Sequence, residues 1–197
     1  MDAATTIDVG AVTTGGGDVE LTSNGGGNIT ASNFLEANTS AAQTDPNATG
    51  SVRLQTSGNL QLRDIDATGR VALEGNDVTV NDRIDTAGMV TIRGNNVTVR
   101  DAIDADGAVT IDGSNVTVLG EIDVEESTAA PVNITATDAL QVETIFSGGA
   151  TSNSNAADRA TANANNPSRA TANASCTSSQ RITSVSRPQP QYRANYQ

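Results

Sequence analysis

The stretch "VTVNDRIDTAGMVTIRGNN", Val78 to Asn96, is followed without a gap by "VTVRDAIDADGAVTIDGSN", Val97 to Asn115, and the two agree at 12 of 19 positions. Self-similarity at a fixed short period is the signature of a repeat architecture, in which one structural unit stacks on the next. Within each unit the apolar residues alternate with polar ones: Val78, Val80, Ile84, Val90 and Ile92, then Val97, Val99, Ile103, Val109 and Ile111. A period of two predicts short strands, and the Gly-Asn, Gly-Ser-Asn and Ala-Gly pairs between them supply the corners.

The repeat extends in both directions. "LQLRDIDATGRVALEGND" (Leu60 to Asp77) is the same unit one residue short, and "NATGSVRLQTSGNLQL" (Asn47 to Leu62) aligns its Ala-Thr-Gly with Ala67-Thr68-Gly69. "GGDVELTSNGGGNITA" (Gly16 to Ala31) carries the pattern back, with Ser32 to Asp45 read as an insertion. "VTVLGEIDVEESTAAPVNITATDALQV" (Val116 to Val142) carries it forward with a few added residues. Three short strands per unit at a 19-residue period predict an all-β fold, a right-handed parallel β-helix (β-solenoid) of about six rungs spanning residues 1–148. Equivalent residues then stack in columns, aliphatic ones filling the bore and Thr79, Thr98 and Thr117 forming an outward stripe. A polar or charged residue at Ile84 or Ile103 should damage such a coil most.

Composition agrees with this and excludes several classes. The 197 residues include no Trp, His or Lys and only two Phe and two Tyr, so small and β-branched residues must do the packing. The net charge of −12 is unevenly placed: residues 1–150 hold 22 Asp/Glu against 6 Arg, while residues 151–197 hold one acid, Asp158, against five Arg. An acidic body repels nucleic acid and anionic membranes, so neither is expected as a partner. The opening "MDAATTIDVG" has no basic or apolar leader character, and no window is long and apolar enough to insert in a membrane. Cys176 is the one cysteine, which rules out an intramolecular disulfide and a Cys-based metal cluster. Residues 149–197, with "RATANANNPS" echoed by "RATANAS" and the ending "RPQPQYRANYQ", read as a low-complexity disordered tail carrying Cys176 as an exposed thiol.

The "VTV…IDxxGxVTI" spacing over about Ile7 to Gly148 resembles the filamentous haemagglutinin family, large bacterial adhesins exported by the two-partner pathway on a long parallel β-helical shaft. The resemblance implies a non-catalytic structural and adhesive segment of a cell-surface or secreted protein. Its implied partners are glycans or proteins on host or neighbouring cells. The family's Asn-Pro-containing export signatures do not appear, and Pro46 is the only proline in the first 130 residues, which fits a shaft fragment of a larger exported protein. Exposed strand edges at uncapped ends would favour head-to-tail self-association.

Four features compete as sites. Asp66, Asp85, Asp104 and Asp123 recur once per rung; they would form a cation ladder, or else Asp-x-x-Gly marks a type I turn at Asp85 and Asp104, the reading preferred here. Asn-x-Thr occurs at Asn28, Asn47, Asn96, Asn115 and Asn133, and Asn38 begins Asn-Thr-Ser; stacked corner asparagines are preferred to glycosylation. The runs "TTGGGD" and "SNGGGN" lack the Lys-Ser/Thr ending of a phosphate loop and read as corners. The paired acids Asp82 with Asp85 and Asp101 with Asp104 carry the alternative, a β-helical polysaccharide lyase or hydrolase. A ligand would otherwise be sought at the breaks in the pattern, with Phe34 and Leu35 in the first and Glu125 and Glu126 in the second, Val124 to Pro131. Ice binding is disfavoured because Thr-x-Thr ranks are missing. No catalytic residue, cofactor or metal is expected.

Overall fold

A computed structural model describes residues 5–15, 17–37, 50–124, 132–147, 153–155 and 173–174. Every described strand pairing is parallel and no described residue is helical, giving a β-solenoid of about six turns. The alternation of apolar and polar residues dictates this arrangement. A three- to five-residue strand buries one side only, and its partner one turn later offers the same residue types at the same height.

The strands fall into three faces. On the first, Ile7–Val9, Ile29–Ala31, Leu60–Leu62, Asp77–Val80 and Asn96–Val99 stack in order. The second holds Val12–Thr13, Phe34–Ala37, Asp64–Ala67, Ile84–Thr86 and Ile103–Ala105. On the third lie Val19–Ser23, Val52–Thr56, Val71–Glu74 and Val90–Arg93. The last two full turns are drawn as continuous 16-residue strands, Val109–Val124 and Val132–Ser147, which wrap all three faces.

The bore is a stack of aliphatic columns. On the second face Leu35, Ile65, Ile84, Ile103 and Ile122 follow one another, each fully buried. Val52, Val71, Val90 and Val109 do the same on the third. The 19-residue step from Val78 to Val97 to Val116 keeps all three faces in phase.

Corners are closed by side chains and by close backbone approach. Buried Thr86 donates its hydroxyl to Gly69 O of the preceding turn and accepts the Gly88 N–H at 3.1 Å. Thr56 repeats the device, donating to Gly27 O and accepting from Gly58 N at 2.9 Å. Such local hydroxyl-to-backbone bonds satisfy groups that a strand leaves open where it turns. A Cβ on Gly88 would lie 2.4 Å from Gly69 O, so this glycine is required by the stacking of corners. Left-handed backbone is confined to Gly25, Gly26 and Gly50 among the described glycines.

Two segments are described only in part. The segment read as an insertion from Ser32 to Asp45 begins later, because Phe34–Ala37 is a regular strand whose Leu35 stacks on Ile65 and whose Glu36 stacks on Asp66. Residues 38–49 lie outside the described residues. In the segment read as a disordered tail, Asn153–Asn155 pairs with Asn133 to Thr135, and Asn173–Ala174 pairs in turn with Asn153 and Ser154. These short strands extend the third face beyond the last complete turn; Cys176 and the rest of that segment lie outside the described residues.

Candidate functional site: the outer faces of the coil

With the bore filled, the side chains of the described strands that are open to a ligand are those of the outward columns. The second face carries acids: Glu36, Asp66, Asp85, Asp104 and Asp123 stand in register on five successive turns, all half-buried. Adjacent strands are about 4.8 Å apart, so like charges repeat at that step. The type I turn expected at Asp85 is not what forms. Asp85 and Asp104 are strand residues, and the chain bends after them, at Ala87–Gly88 and Asp106–Gly107.

Asp85 shows the cost of this stacking. Partial burial pushes its carboxyl above the usual carboxylate range, and Asp104, Asp66 and Asp106 push it further, while the Arg83 guanidinium that bonds to its Oδ2 pulls the other way. Asp66, Asp106 and Asp123 also have interaction partners. The ladder does not make a cage, and among the described residues no group of three or more His, Cys, Asp or Glu is arranged to hold a metal ion.

The paired acids of the enzyme reading have different bonding partners. Asp82 bonds to Arg63 Nε at 2.9 Å, whereas Asp85 faces Arg83. Asp101 accepts the Ala102 N–H at 2.9 Å, whereas Asp104 belongs to the ladder. Of the two breaks in the pattern, Leu35 is in the bore, Phe34 is half-buried beside Asp64, and Glu125 and Glu126 lie outside the described residues.

At the corner leading into the first face the asparagines stack as expected. Asn115 Nδ2 donates to Asn96 Oδ1 at 2.8 Å, and Asn96 Nδ2 donates to Asp77 Oδ1 at 2.6 Å. Lower in the coil, Asn59 Oδ1 accepts the Asp77 N–H at 3.2 Å and Asn28 Oδ1 accepts the Asn59 N–H at 2.9 Å. The side chains of Asn96 and Asn115 are therefore committed to the coil. Beside them Thr79, Thr98 and Thr117 form the outward stripe.

The third face holds a feature that single-residue patterns did not reveal. Its outward column runs Glu20, Arg53, Ala72, Thr91 and Thr110, so Ala72 leaves a gap in an otherwise larger series. Arg53, Arg70 and Arg93 rise around that gap with exposed Met89, and together with Glu74 they line an open cleft of about 300 Å³. The signal was present in the register alone, as one Ala in a column of longer residues with arginines on three successive turns. A second shallow cleft, with exposed Leu119 against Leu140 and Val142, lies where the last two turns slip register near Glu121.

No protein-family model matches this chain, and neither does a curated protein or a solved structure.

Proposed function

We propose that this β-solenoid is a non-catalytic structural and adhesive segment, a stretch of shaft from a filamentous haemagglutinin-like protein at the cell surface or outside the cell. The observation that carries the reading is the uninterrupted register of Ile65, Ile84, Ile103 and Ile122, with outward acids and threonines repeating at the same step. A rod built from identical rungs resists bending and offers the same chemistry along its length. That suits spacing and multivalent contact better than convergent catalysis.

The partners in this reading are glycans or proteins on host or neighbouring cells, with no nucleic acid and no membrane insertion. No described helix is long and apolar enough to cross a membrane. Uncapped ends of the coil would also allow head-to-tail self-association. No cofactor is involved.

The test is adhesion of beads coated with the full chain to intact cells, run beside cleavage of acidic polysaccharides in solution. Attachment above that of an equally acidic control protein, without polysaccharide cleavage, is the expected result. Release of new reducing or unsaturated ends, lost on Asp104→Asn alone, would replace this reading with that of a β-helical lyase or hydrolase.

A further inference from the structure

The glycine run "SNGGGN", Ser23 to Asn28, joins the third-face strand Val19–Ser23 to the first-face strand Ile29–Ala31. Ser23 pairs with Thr56 and Ile29 with Leu60, so five residues, 24–28, span a corner that the next turn closes with three, 57–59. The surplus lies outside the stack. Asn24, Gly25 and Gly26 are exposed, and a Cβ on Gly26 would meet nothing nearer than Ser57 Oγ at 3.9 Å.

Other corner glycines are held by a hydroxyl two residues earlier. Thr56 accepts the Gly58 N–H at 2.9 Å and Thr86 accepts the Gly88 N–H at 3.1 Å. Ser23 stands where Thr56 does one turn later, but it donates its hydroxyl to Thr5 O. Among the described residues neither the Gly25 N–H nor the Asn24 side chain makes a hydrogen bond. Gly25 has a φ of 83° and no Cβ, so nothing screens its nitrogen.

An Asn-Gly pair in this state can react with itself. The Gly25 nitrogen, on losing its proton, attacks the side-chain carbonyl carbon of Asn24, closing a five-membered succinimide ring and expelling ammonia. Water then opens the ring at either carbonyl and leaves aspartate or isoaspartate at position 24. The balance is one water consumed and one ammonia released, with no oxidant and no cofactor. Asp106-Gly107 and Asp112-Gly113 can form the same ring, with water as the leaving group, but the coil restrains both. Gly107 donates its N–H to Gly88 O at 3.0 Å, and Gly113 lies within the strand Val109–Val124 opposite Ala136. Breaking one hydrogen bond before attack slows such a step by about tenfold.

We propose that Asn24 is a site of spontaneous covalent modification, at which the folded coil gains one carboxylate and, in the isoaspartate form, one more backbone carbon. Register decides the site, because the stacked corners withhold the glycine nitrogen that this protruding corner leaves open. The proposal goes beyond the adhesive reading and does not depend on it.

The test is incubation of the full chain in mildly alkaline buffer, folded and in concentrated urea, followed by ion exchange and by peptide mapping that separates isoaspartate. Asn24 should convert nearly as fast in the folded chain as in urea, giving a form more acidic by one charge. Isomerisation at Asp106 and Asp112 should be about tenfold or more slower in the folded chain than in urea. Asn24→Gln, which would need a six-membered ring, should abolish the acidic form while circular dichroism stays unchanged, and Gly25→Ala should slow its appearance. Protection of Asn24 by folding to the same degree as Asp106 and Asp112 would overturn the proposal. So would an acidic form that maps first to another asparagine or persists in Asn24→Gln.

Discussion

Asn115 donates its side-chain amide to Asn96 Oδ1 at 2.8 Å, although the two are 19 residues apart in the chain. The bond exists because Val97 sits over Val116 and Thr98 over Thr117, which brings equivalent corners to hydrogen-bonding distance. It ties one turn to the next outside the backbone ladder. Asn96→Ala removes an acceptor for Asn115 and a donor to Asp77. A loss of about 1–2 kcal/mol is expected for these half-buried bonds, read as a lower urea midpoint.

Ile103 is fully buried between Ile84 and Ile122, whereas Thr98 is half-exposed on the outward stripe. Ile103→Ala should cost about 2–5 kcal/mol through lost burial and a cavity. Thr98→Ala should change stability by about 0.5 kcal/mol or less. Ile103→Asp should abolish protection of the turns on either side in hydrogen exchange, since each turn relies on its neighbours.

Gly88→Ala places a methyl group 2.4 Å from Gly69 O, a contact with backbone that no rotamer relieves. Gly94→Ala meets Val78 Cγ2 at 3.1 Å, which a small side-chain movement accommodates. Thermal unfolding should therefore show a much larger loss for Gly88→Ala than for Gly94→Ala, and equal losses would refute the corner-stacking explanation.

Burial, then Asp104, Asp66 and Asp106, raise the Asp85 carboxyl above its ordinary value of 3.8 against the opposing pull of Arg83. The folded chain thus takes up this proton at higher pH than the unfolded chain. For this group, stability increases as pH falls through the folded-state pKa and levels off below the unfolded one. Asp85→Asn removes the effect. Its urea midpoint relative to the natural chain should be highest near pH 7 and should fall towards about pH 4. A difference that stays flat with pH would show that the ladder is not strained.

The β-solenoid was legible because Val78, Val97 and Val116 recur at a constant step and alternate with polar residues. Period and alternation together leave few other folds. Phe34–Ala37 was missed because its neighbours look unlike the repeat, although Leu35-Glu36-Ala37 matches Ile65-Asp66-Ala67 once the strands are paired. At Asp85 a local turn preference competed with register, and the ladder prevailed because Ile84 must face the bore between Ile65 and Ile103. Asn133, Asn153 and Asn173 are separated by equal steps of 20 residues, but without an aliphatic column that continuation was not visible in apolar periodicity. The arginine cleft depends on which residues of three turns become neighbours, which only the pairing reveals.

Stacking of equivalent residues one turn apart is open to test by engineered cross-links. In a Cys176→Ser background, Thr79→Cys with Thr98→Cys places two outward thiols on paired positions, while Thr79→Cys with Thr117→Cys places them two turns apart. Neighbouring strands about 4.8 Å apart fall within disulfide reach, and a two-turn separation of about 9.6 Å does not. Rapid intramolecular oxidation of the first pair and none of the second, measured by thiol titration of the monomer, is the predicted result. Failure of the first pair to close, or equal closure of both, would contradict the 19-residue coil.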